Sequence, residues 1–378
     1  MPTHVAHIVT LKSIGGVQTS FLPFFKMAKK ESQFKHLIMS QHTIHPFFKE
    51  LTEDHYNFKT SLINQLRLIY FIFSNRYIVH FHNNIGSTAI DRLLRFLPTR
   101  NLIFHEYGTA WNAPKKKEPI YKRNELRARK IIACSEATRT VLFEHLKLNK
   151  NKIQVVHHTG LIDQLPNNKV ERLSTTFSVG FIGRLDTPKG VHIFINAAKN
   201  LSQYDFFIAG EGVLEDQLKM QAKGAKNIHF LGVQNPIEFM SKIDLLIVPS
   251  LREPLGNIII EAGHVKRAVI AANVDGIAEI IDHDINGILI SPTEQLKLEN
   301  LPKTAVPVPQ IVVNPKLQKI ETPKEIAVDT LCENIDQLAR DKRKLKSIGE
   351  ELNKKVKEKF TLEQYFEKVE TIYKSINK

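Results

Sequence analysis

The sequence has few cysteines and no long apolar run. Cys134 and Cys332 are far apart and lack metal-ligand spacing, which argues against a disulfide scaffold and favours a reducing compartment. No run approaches the roughly 18–20 apolar residues that a membrane-spanning helix requires. The first residues, Met1-Pro2-Thr3-His4, lack the basic-then-apolar order of a signal peptide. We therefore expect a cytoplasmic protein, and its 378 residues suggest two domains.

Acidic residues are scarce in the first half of the chain, which carries the whole positive excess. Residues 1–175 contain 26 Lys and Arg against 12 Asp and Glu, whereas residues 176–378 contain 27 of each. The basic residues are dense from Lys115 to Lys130. This asymmetry predicts an anionic partner for the first half: a membrane surface, an acidic glycolipid or nucleic acid. The alternative is a basic surface that only keeps the protein soluble.

Short apolar runs alternate with helical patterns throughout, which predicts two doubly wound, Rossmann-like α/β domains. The runs that predict strands of the first domain are 5–10, 36–40, 78–82, 101–105, 130–135 and 153–157. Those of the second are 177–183, 204–210, 227–232, 245–250, 268–273 and 287–291.

Composition also predicts the domain boundaries. A polar, turn-rich linker at 165–176 separates a first domain, 1–170, from a second, 171–355. Five prolines make 296–325 a predicted inserted, extended loop. Apolar residues at helical spacing predict a terminal helix within 356–378.

Two carboxylates flank a helix start after the predicted strand 245–250. Glu253 lies in the loop and Glu261 about one turn into the helix, and Pro254 and Gly256 stand between them. Free N–H groups and the positive dipole end at a helix start suit a phosphate, while carboxylates suit sugar hydroxyls. The pattern therefore indicates a nucleotide-sugar site. The alternative is an ordinary strand-loop-helix with solvated charges.

A second turn carries two cations. The predicted strand 177–183 ends at Gly183, Arg184 follows, and Lys189 comes five residues later before the next helix. Arg presents a planar fork to phosphate oxygens and Lys a point charge, so this turn can hold a diphosphate.

The predicted first domain offers weaker signals. Gly15 and Gly16 follow the first strand, where a helix start lets backbone approach a phosphate. His82 and His105 each lie where a predicted strand ends, the edge at which such sheets bind ligands. A histidine in that position is also commonly structural, and the sequence leaves open which of the two is at a reaction centre.

Together these motifs resemble the family 4 glycosyltransferases, retaining enzymes of the two-domain GT-B fold. The resemblance covers nearly the whole chain, most strongly 177–291. It assigns the departing diphosphate to Arg184 and Lys189, the ribose to Glu261 and the hydroxyls of the transferred sugar to Glu253. His105, in a His-Glu-Tyr-Gly motif, would lie near the reacting carbon. One departure is Leu255, where the family usually has Phe.

The same resemblance implies further contacts and a domain arrangement. The other predicted donor-binding residues are Gly15, Gly16, Gly232, Val233, Leu255, Gly256, Asn257 and Ile258. The terminal helix would pack back on the first domain, and the basic first domain would hold the acceptor. Two cationic side chains can replace a divalent ion, so we predict neither a metal nor a cofactor.

The sequence thus predicts a metal-independent, retaining transfer of a sugar from a nucleotide-diphosphate sugar, with UDP favoured, to a hydroxyl acceptor. The acceptor would be an anionic glycolipid or saccharide of bacterial polysaccharide or lipopolysaccharide synthesis, with peripheral contact to the inner face of a membrane. The alternatives are a GT-B nucleotide-sugar epimerase, or a non-catalytic basic protein that binds nucleotides or nucleic acid. No helix-turn-helix or aromatic-interleaved basic strand appears, so we expect no nucleic acid.

Overall fold

The computed structural model describes residues 1–97, 99, 101–160, 171–298 and 301–376. The chain forms two units, one comprising Met1–Leu161 with Thr361–Lys378 and the other Ile162–Phe360. The predicted boundary at residue 170 and the first half of the linker predicted at 165–176 lie outside the described residues.

The first unit is built on a seven-stranded parallel sheet, in the order β3-β2-β1-β4-β5-β6-β7. Its strands are β1 (His4–Ile8), β2 (Lys35–Ser40), β3 (His55–Asn57), β4 (Tyr77–His82), β5 (Leu102–Glu106), β6 (Ala128–Ala133) and β7 (Ile153–Val155). Its first helices are α1 (Gly16–Glu31), α2 (Leu62–Phe73), α3 (Thr88–Arg95), α4 (Glu118–Arg127) and α5 (Glu136–Thr140). Three of these helices begin at a capping serine whose side chain accepts a backbone N–H of the first turn: Ser61 for α2, Ser87 for α3 and Ser135 for α5.

The second unit has a six-stranded parallel sheet in the order β10-β9-β8-β11-β12-β13. Its strands are β8 (Ser178–Ile182), β9 (Asp205–Ala209), β10 (Ile228–Gly232), β11 (Leu245–Val248), β12 (Ala268–Ala272) and β13 (Ile288–Ile290). Its helices are α6 (Val191–Asn200), α7 (Glu215–Gln221), α8 (Pro236–Lys242), α9 (Asn257–His264), α10 (Ile277–Ile280), α11 (Val328–Arg340) and α12 (Lys342–Lys359). Among the described residues, none of the helices combines the length and apolar character needed to cross a bilayer.

Both sheets reverse their strand order next to the first strand of the unit, between β1 and β4 and between β8 and β11. Ligands of doubly wound sheets bind outside the carboxyl ends of the strands at such switch points. The predicted fold class, two doubly wound Rossmann-like units, is confirmed.

The last helix, α13 (Leu362–Ile376), belongs to the first unit. Its Tyr365 and Tyr373 are fully buried in the same apolar cluster as Phe21 and Phe24 of α1. The first unit therefore completes its core with residues from the far end of the chain.

The stretch 296–325 is not simply the extended loop that its prolines predicted. It contains an antiparallel hairpin, β14 (Val312–Asn314) with β15 (Lys319–Glu321). Val312 and Val313 are buried, and the Asn314 Oδ1 accepts two backbone N–H groups of the turn. Burial of β-branched residues and an Asn-led turn outweigh the local proline content. Glu299 and Asn300 lie outside the described residues.

Candidate functional site

The loops after β8 and β11 meet at the switch point of the second unit. Lys189 Nζ donates to Glu253 Oε2 at 2.6 Å, and Ser250 Oγ donates to the same oxygen at 3.1 Å. The side chains of Lys189 and Glu253 are 25% and 10% exposed, so the ion pair is largely shielded from water. The structure therefore brings two predicted site residues into direct contact. An arriving anion would compete with Glu253 for the ammonium.

Arg184 lies on the same loop in a more open position. Its side chain is 67% exposed, and its Nη1 is 3.8 Å from Asp186 Oδ2. Asp186 Oδ1 accepts backbone N–H groups from Thr187 and from Val306, which holds the loop against the 296–325 stretch. Arg184 can therefore meet a phosphate without breaking a buried pair.

Two glycines allow the loops after β9 and β12 to pack on the loops after β8 and β11. Gly210, after β9, has φ +129°, and a Cβ there would lie 1.9 Å from the Gly183 carbonyl oxygen. A Cβ on Gly276, after β12, would lie 2.2 Å from the Pro254 carbonyl oxygen. Close approach of loop to loop therefore requires both glycines, and the positive φ of Gly210 is a second reason for glycine there.

The helix α9 begins beside the Lys189–Glu253 pair. Gly256 precedes it in a left-handed conformation, φ +110°, and offers no side chain to the helix start at Asn257 and Ile258. The first turn holds no acidic residue, and Glu261 is buried one turn inside. A helix start of this kind favours an anion through its dipole and N–H groups. Leu255 is buried just before it.

Asp275 joins this loop to the hairpin. Its Oδ2 accepts the Glu253 N–H at 2.8 Å, and its Oδ1 accepts the Val313 N–H at 2.7 Å. Beside it, burial lowers the pKa of the Arg252 guanidinium, while Asp275 and Glu253 oppose that shift. Asp275 is not among the site residues that the sequence motifs predicted. Its position three residues after the buried strand β12 was the available signal.

Two predicted donor contacts lie at the outer strand of this sheet. Gly232 ends β10 with φ +66°, and Val233 is exposed. The Gly232 carbonyl accepts the Gly210 N–H at 2.7 Å, which links this end to the β9 loop.

In the first unit, Gly15 and Gly16 stand at the start of α1. Gly15 has φ −168°, an extended conformation open to any residue, and its carbonyl accepts from the N–H and hydroxyl of Thr19. A Cβ at Gly15 would lie 3.0 Å from Gln18 Oε1. Backbone conformation does not require glycine there, and the predicted phosphate contact remains a prediction.

His105 and His82 lie in a buried polar layer on one face of the first sheet. Tyr107 Oη is 2.9 Å from Nδ1 of both rings and 3.3 Å from Tyr365 Oη. The buried members of this layer are His7, His36, His80, His82, His105, Tyr107, His158, Tyr365 and Tyr373. The structure thus brings together the two histidines between which the sequence left the reaction centre open.

Both histidines are neutral imidazoles in this setting. Burial lowers the pKa of His82 to about 3, and burial with the neighbouring His82 and His158 lowers that of His105 well below its ordinary value. His105 Nε2 is buried and has no hydrogen-bond partner among the described residues. A fully enclosed ring does not face solvent, so a role near the reacting carbon remains a prediction.

Within the described residues, one histidine group has a spacing that could suit a metal ion. His7, His80 and His82 each offer a nitrogen within 4.8 Å of the others, although His7 Nδ1 and His82 Nε2 already hydrogen-bond at 3.2 Å. The group is in the first unit, whereas Arg184 and Lys189 are in the second.

Comparison with known proteins gives one family and consistent relatives. Residues 176–300 match the family described as glycosyl transferases group 1. The O-antigen biosynthesis glycosyltransferase WbnH of Escherichia coli is 27% identical over 304 residues, which cover 77% of this chain and 87% of WbnH. The capsular polysaccharide biosynthesis glycosyltransferase CapM of Staphylococcus aureus is 23% identical over 268 residues, 66% of this chain and 62% of CapM.

Solved structures share the fold over the whole chain. The structure of Anabaena Alr3699/HepE in complex with UDP-glucose superposes with a TM-score of 0.74 at 17% identity, covering 98% of this chain and 99% of that one. The lipopolysaccharide outer core galactosyltransferase WaaB, in its apo form, gives a TM-score of 0.67 at 14% identity, with 98% and 99% covered. Residues 176–300 are therefore a group 1 glycosyl transferase domain, and the chain is a glycosyltransferase of the GT-B fold.

Proposed function

We propose that this chain is a retaining glycosyltransferase of family 4 that moves a sugar from a UDP-sugar to a hydroxyl of an anionic glycolipid or saccharide. The pathway would be bacterial surface polysaccharide synthesis, because WbnH and CapM carry such names. Retention follows from the resemblance to family 4 and not from any distance in the structure. UDP is favoured because Alr3699/HepE was solved with UDP-glucose.

The contact between Lys189 and Glu253 carries the proposal. In transfer, the bond between the anomeric carbon and the diphosphate breaks, a bond from the acceptor oxygen to that carbon forms, and the hydroxyl proton passes to the departing diphosphate. Negative charge grows on the departing diphosphate, where Lys189, Arg184 and the N–H groups at the start of α9 would stabilise it. Lys189 would exchange Glu253 for phosphate, which frees that carboxylate for sugar hydroxyls.

A membrane contact would bring the first unit to a lipid-linked acceptor. Five apolar residues on α2 are 41–70% exposed: Leu62, Ile63, Leu66, Tyr70 and Phe73. No acidic residue occurs between Asp54 and Asp91, whereas Lys59, Arg67 and Arg76 do. An exposed apolar stripe with basic and no acidic neighbours suits the surface of an anionic bilayer.

The first test of the donor is thermal stabilisation against a panel of sugar nucleotides and nucleoside diphosphates, with and without magnesium. A ligand that binds only the folded state raises the melting temperature by mass action. We expect UDP-sugars and UDP to raise it equally in both conditions. A shift that requires magnesium would contradict the metal-free assignment. Conversion of the donor to an altered free sugar without any acceptor would favour the epimerase.

The membrane contact is tested by sedimentation with vesicles of phosphatidylglycerol and phosphatidylcholine, and of phosphatidylcholine alone. We expect binding to the anionic vesicles and a loss of about tenfold or more in Leu66→Glu. The matched control is Leu317→Glu, because Leu317 in the second unit is equally exposed, 57% against 58% for Leu66. Equal binding of both variants would refute the assignment to α2. Binding to RNA or DNA without UDP-sugar binding would favour the non-catalytic alternative.

A further inference from the structure

A cavity of about 340 Å³ in the second unit lies next to the loop that carries Glu253. Residues after β12, residues after β13 and the β14–β15 hairpin form its walls. Its polar lining residues are Asn273, Ser291, Asn314, Glu321, Thr322 and Lys324. The cavity therefore exists only because the hairpin folds over the carboxyl ends of β12 and β13, the edge at which such sheets bind ligands.

One carboxylate connects the cavity to the loop of Glu253. Asp275 accepts the N–H of Glu253 at 2.8 Å and the N–H of Val313, a cavity wall residue, at 2.7 Å. The two N–H groups therefore donate to different oxygens of the same carboxylate. A single side chain thus links the wall of the cavity to the loop that carries Glu253.

The lining has the chemistry of a polyhydroxyl ligand. Asn273 brings an amide to the wall of the cavity, and its Oδ1 is enclosed by protein without a hydrogen-bond partner among the described residues. Asn314 Nδ2 donates to Glu321 Oε1 at 3.0 Å, which orients an amide and a carboxylate side by side. Amide, carboxylate and hydroxyl groups match sugar hydroxyls, which both donate and accept. The volume lies at the small end of ligand pockets, about 300–1,000 Å³.

We propose that this cavity binds one pyranose unit of the saccharide substrate and that the hairpin sets specificity for it. The proposal rests on the glycosyl transfer proposed above. The unit has two possible sources, the acceptor saccharide or a part of the donor sugar, and both present the same ring of hydroxyls.

The cavity is tested with methyl glycosides of glucose, galactose and N-acetylglucosamine, by saturation-transfer NMR on the full chain. Thr322→Trp fills the cavity from an exposed position, and Lys316→Trp places the same side chain on the same hairpin outside the lining. We expect transfer to at least one glycoside in the wild type and in Lys316→Trp, and its loss in Thr322→Trp. No transfer in the wild type, or equal transfer in the two variants, would overturn the proposal.

Calorimetric titration separates the two sources. If the donor sugar is the occupant, UDP-sugar displaces the glycoside, and Thr322→Trp weakens UDP-sugar about tenfold while UDP binds unchanged. If the acceptor is the occupant, glycoside and UDP-sugar bind together, and both variants bind UDP-sugar like the wild type. Absence of any sugar-nucleotide binding by the wild type would refute the proposed function, while the glycoside result would still decide on the cavity.

Discussion

The two units share one sheet topology but place their polar residues differently. The switch-point strands of the first unit carry His7, His80 and His82 within the core, whereas β8 and β11 of the second carry only serine, glycine and apolar residues. In the second unit the charged groups, Lys189 and Glu253 among them, lie in loops after the strands. One fold can thus keep titratable groups inside its core or present them to a ligand. The first placement makes stability depend on pH, and the second makes binding depend on charge.

The largest expected effect is that of acidification, which should destabilise the first unit more than the second. Burial lowers the pKa of His36 and His158 to about 4 and that of His82 to about 3. In the unfolded chain the pKa of a histidine is about 6.5. The unfolded chain then binds more protons, so this stability is full above pH 6.5 and falls as the pH drops toward 4. Each such residue costs about 1.4 kcal/mol per pH unit in that window.

The measurement uses the single Trp of the chain, Trp111, which is buried in the first unit. We expect its fluorescence to report unfolding near pH 5, while far-UV circular dichroism retains the signal of the second unit. Within the described part of the second unit, burial lowers the pKa of one histidine, His264. A Trp111 signal unchanged down to pH 4 would contradict the contrast between the units.

The second largest effect is expected from the removal of one loop cation. In Lys189→Ala the diphosphate loses a half-buried positive partner, and kcat for transfer from UDP-sugar should fall about 10²–10³-fold. The measurement is UDP release, and circular dichroism confirms that the variant is folded. The matched control, Lys199→Ala, removes an exposed lysine of α6 in the same unit and should keep full activity. Near-normal turnover in Lys189→Ala would remove that residue from the mechanism.

A smaller effect is expected where the hairpin meets the site. Asp275→Ala leaves the N–H groups of Glu253 and Val313 without this acceptor, each worth about 1–3 kcal/mol when buried. We expect kcat to fall about tenfold or more and the Val313 amide to exchange faster with deuterium. Asp216→Ala, an exposed residue of α7, is the control. Unchanged exchange at Val313 would mean that Asp275 does not hold the hairpin.

The smallest effect concerns the first unit alone. Ser20 Oγ donates to the Thr159 carbonyl at 2.7 Å and lies 3.1 Å from His158 Nδ1. Ser20→Ala should lower the free energy of unfolding of this unit by about 1 kcal/mol, followed by Trp111 fluorescence in urea. Ser375→Ala removes a hydroxyl that donates to the Ile372 carbonyl of its own helix and should cost less. A larger loss in the control would contradict the ranking.

Strand-helix alternation predicted both sheets because buried parallel strands are continuous apolar runs, as Leu245–Val248 illustrates. It missed His55–Asn57, three half-buried residues without an apolar pattern, and the hairpin within a proline-rich stretch. In the site, motif order identified Lys189 and Glu253. The Asp275 bridge could not be predicted, because it joins residues 22 and 38 positions away through backbone N–H groups. The position of His105 at a strand end also could not show that Tyr365 of α13 packs near it and that both side chains are buried.

The place of α13 has a consequence for the time at which the chain folds. The first unit lacks Tyr365 and Tyr373 until about 200 further residues have been made after residue 161. At synthesis rates of about 5–20 residues per second, that interval lasts about 10–40 s. During it the core face of β1 and β4, with its histidines, lacks the cover of these two tyrosines. The unit encoded first is therefore the last to finish folding.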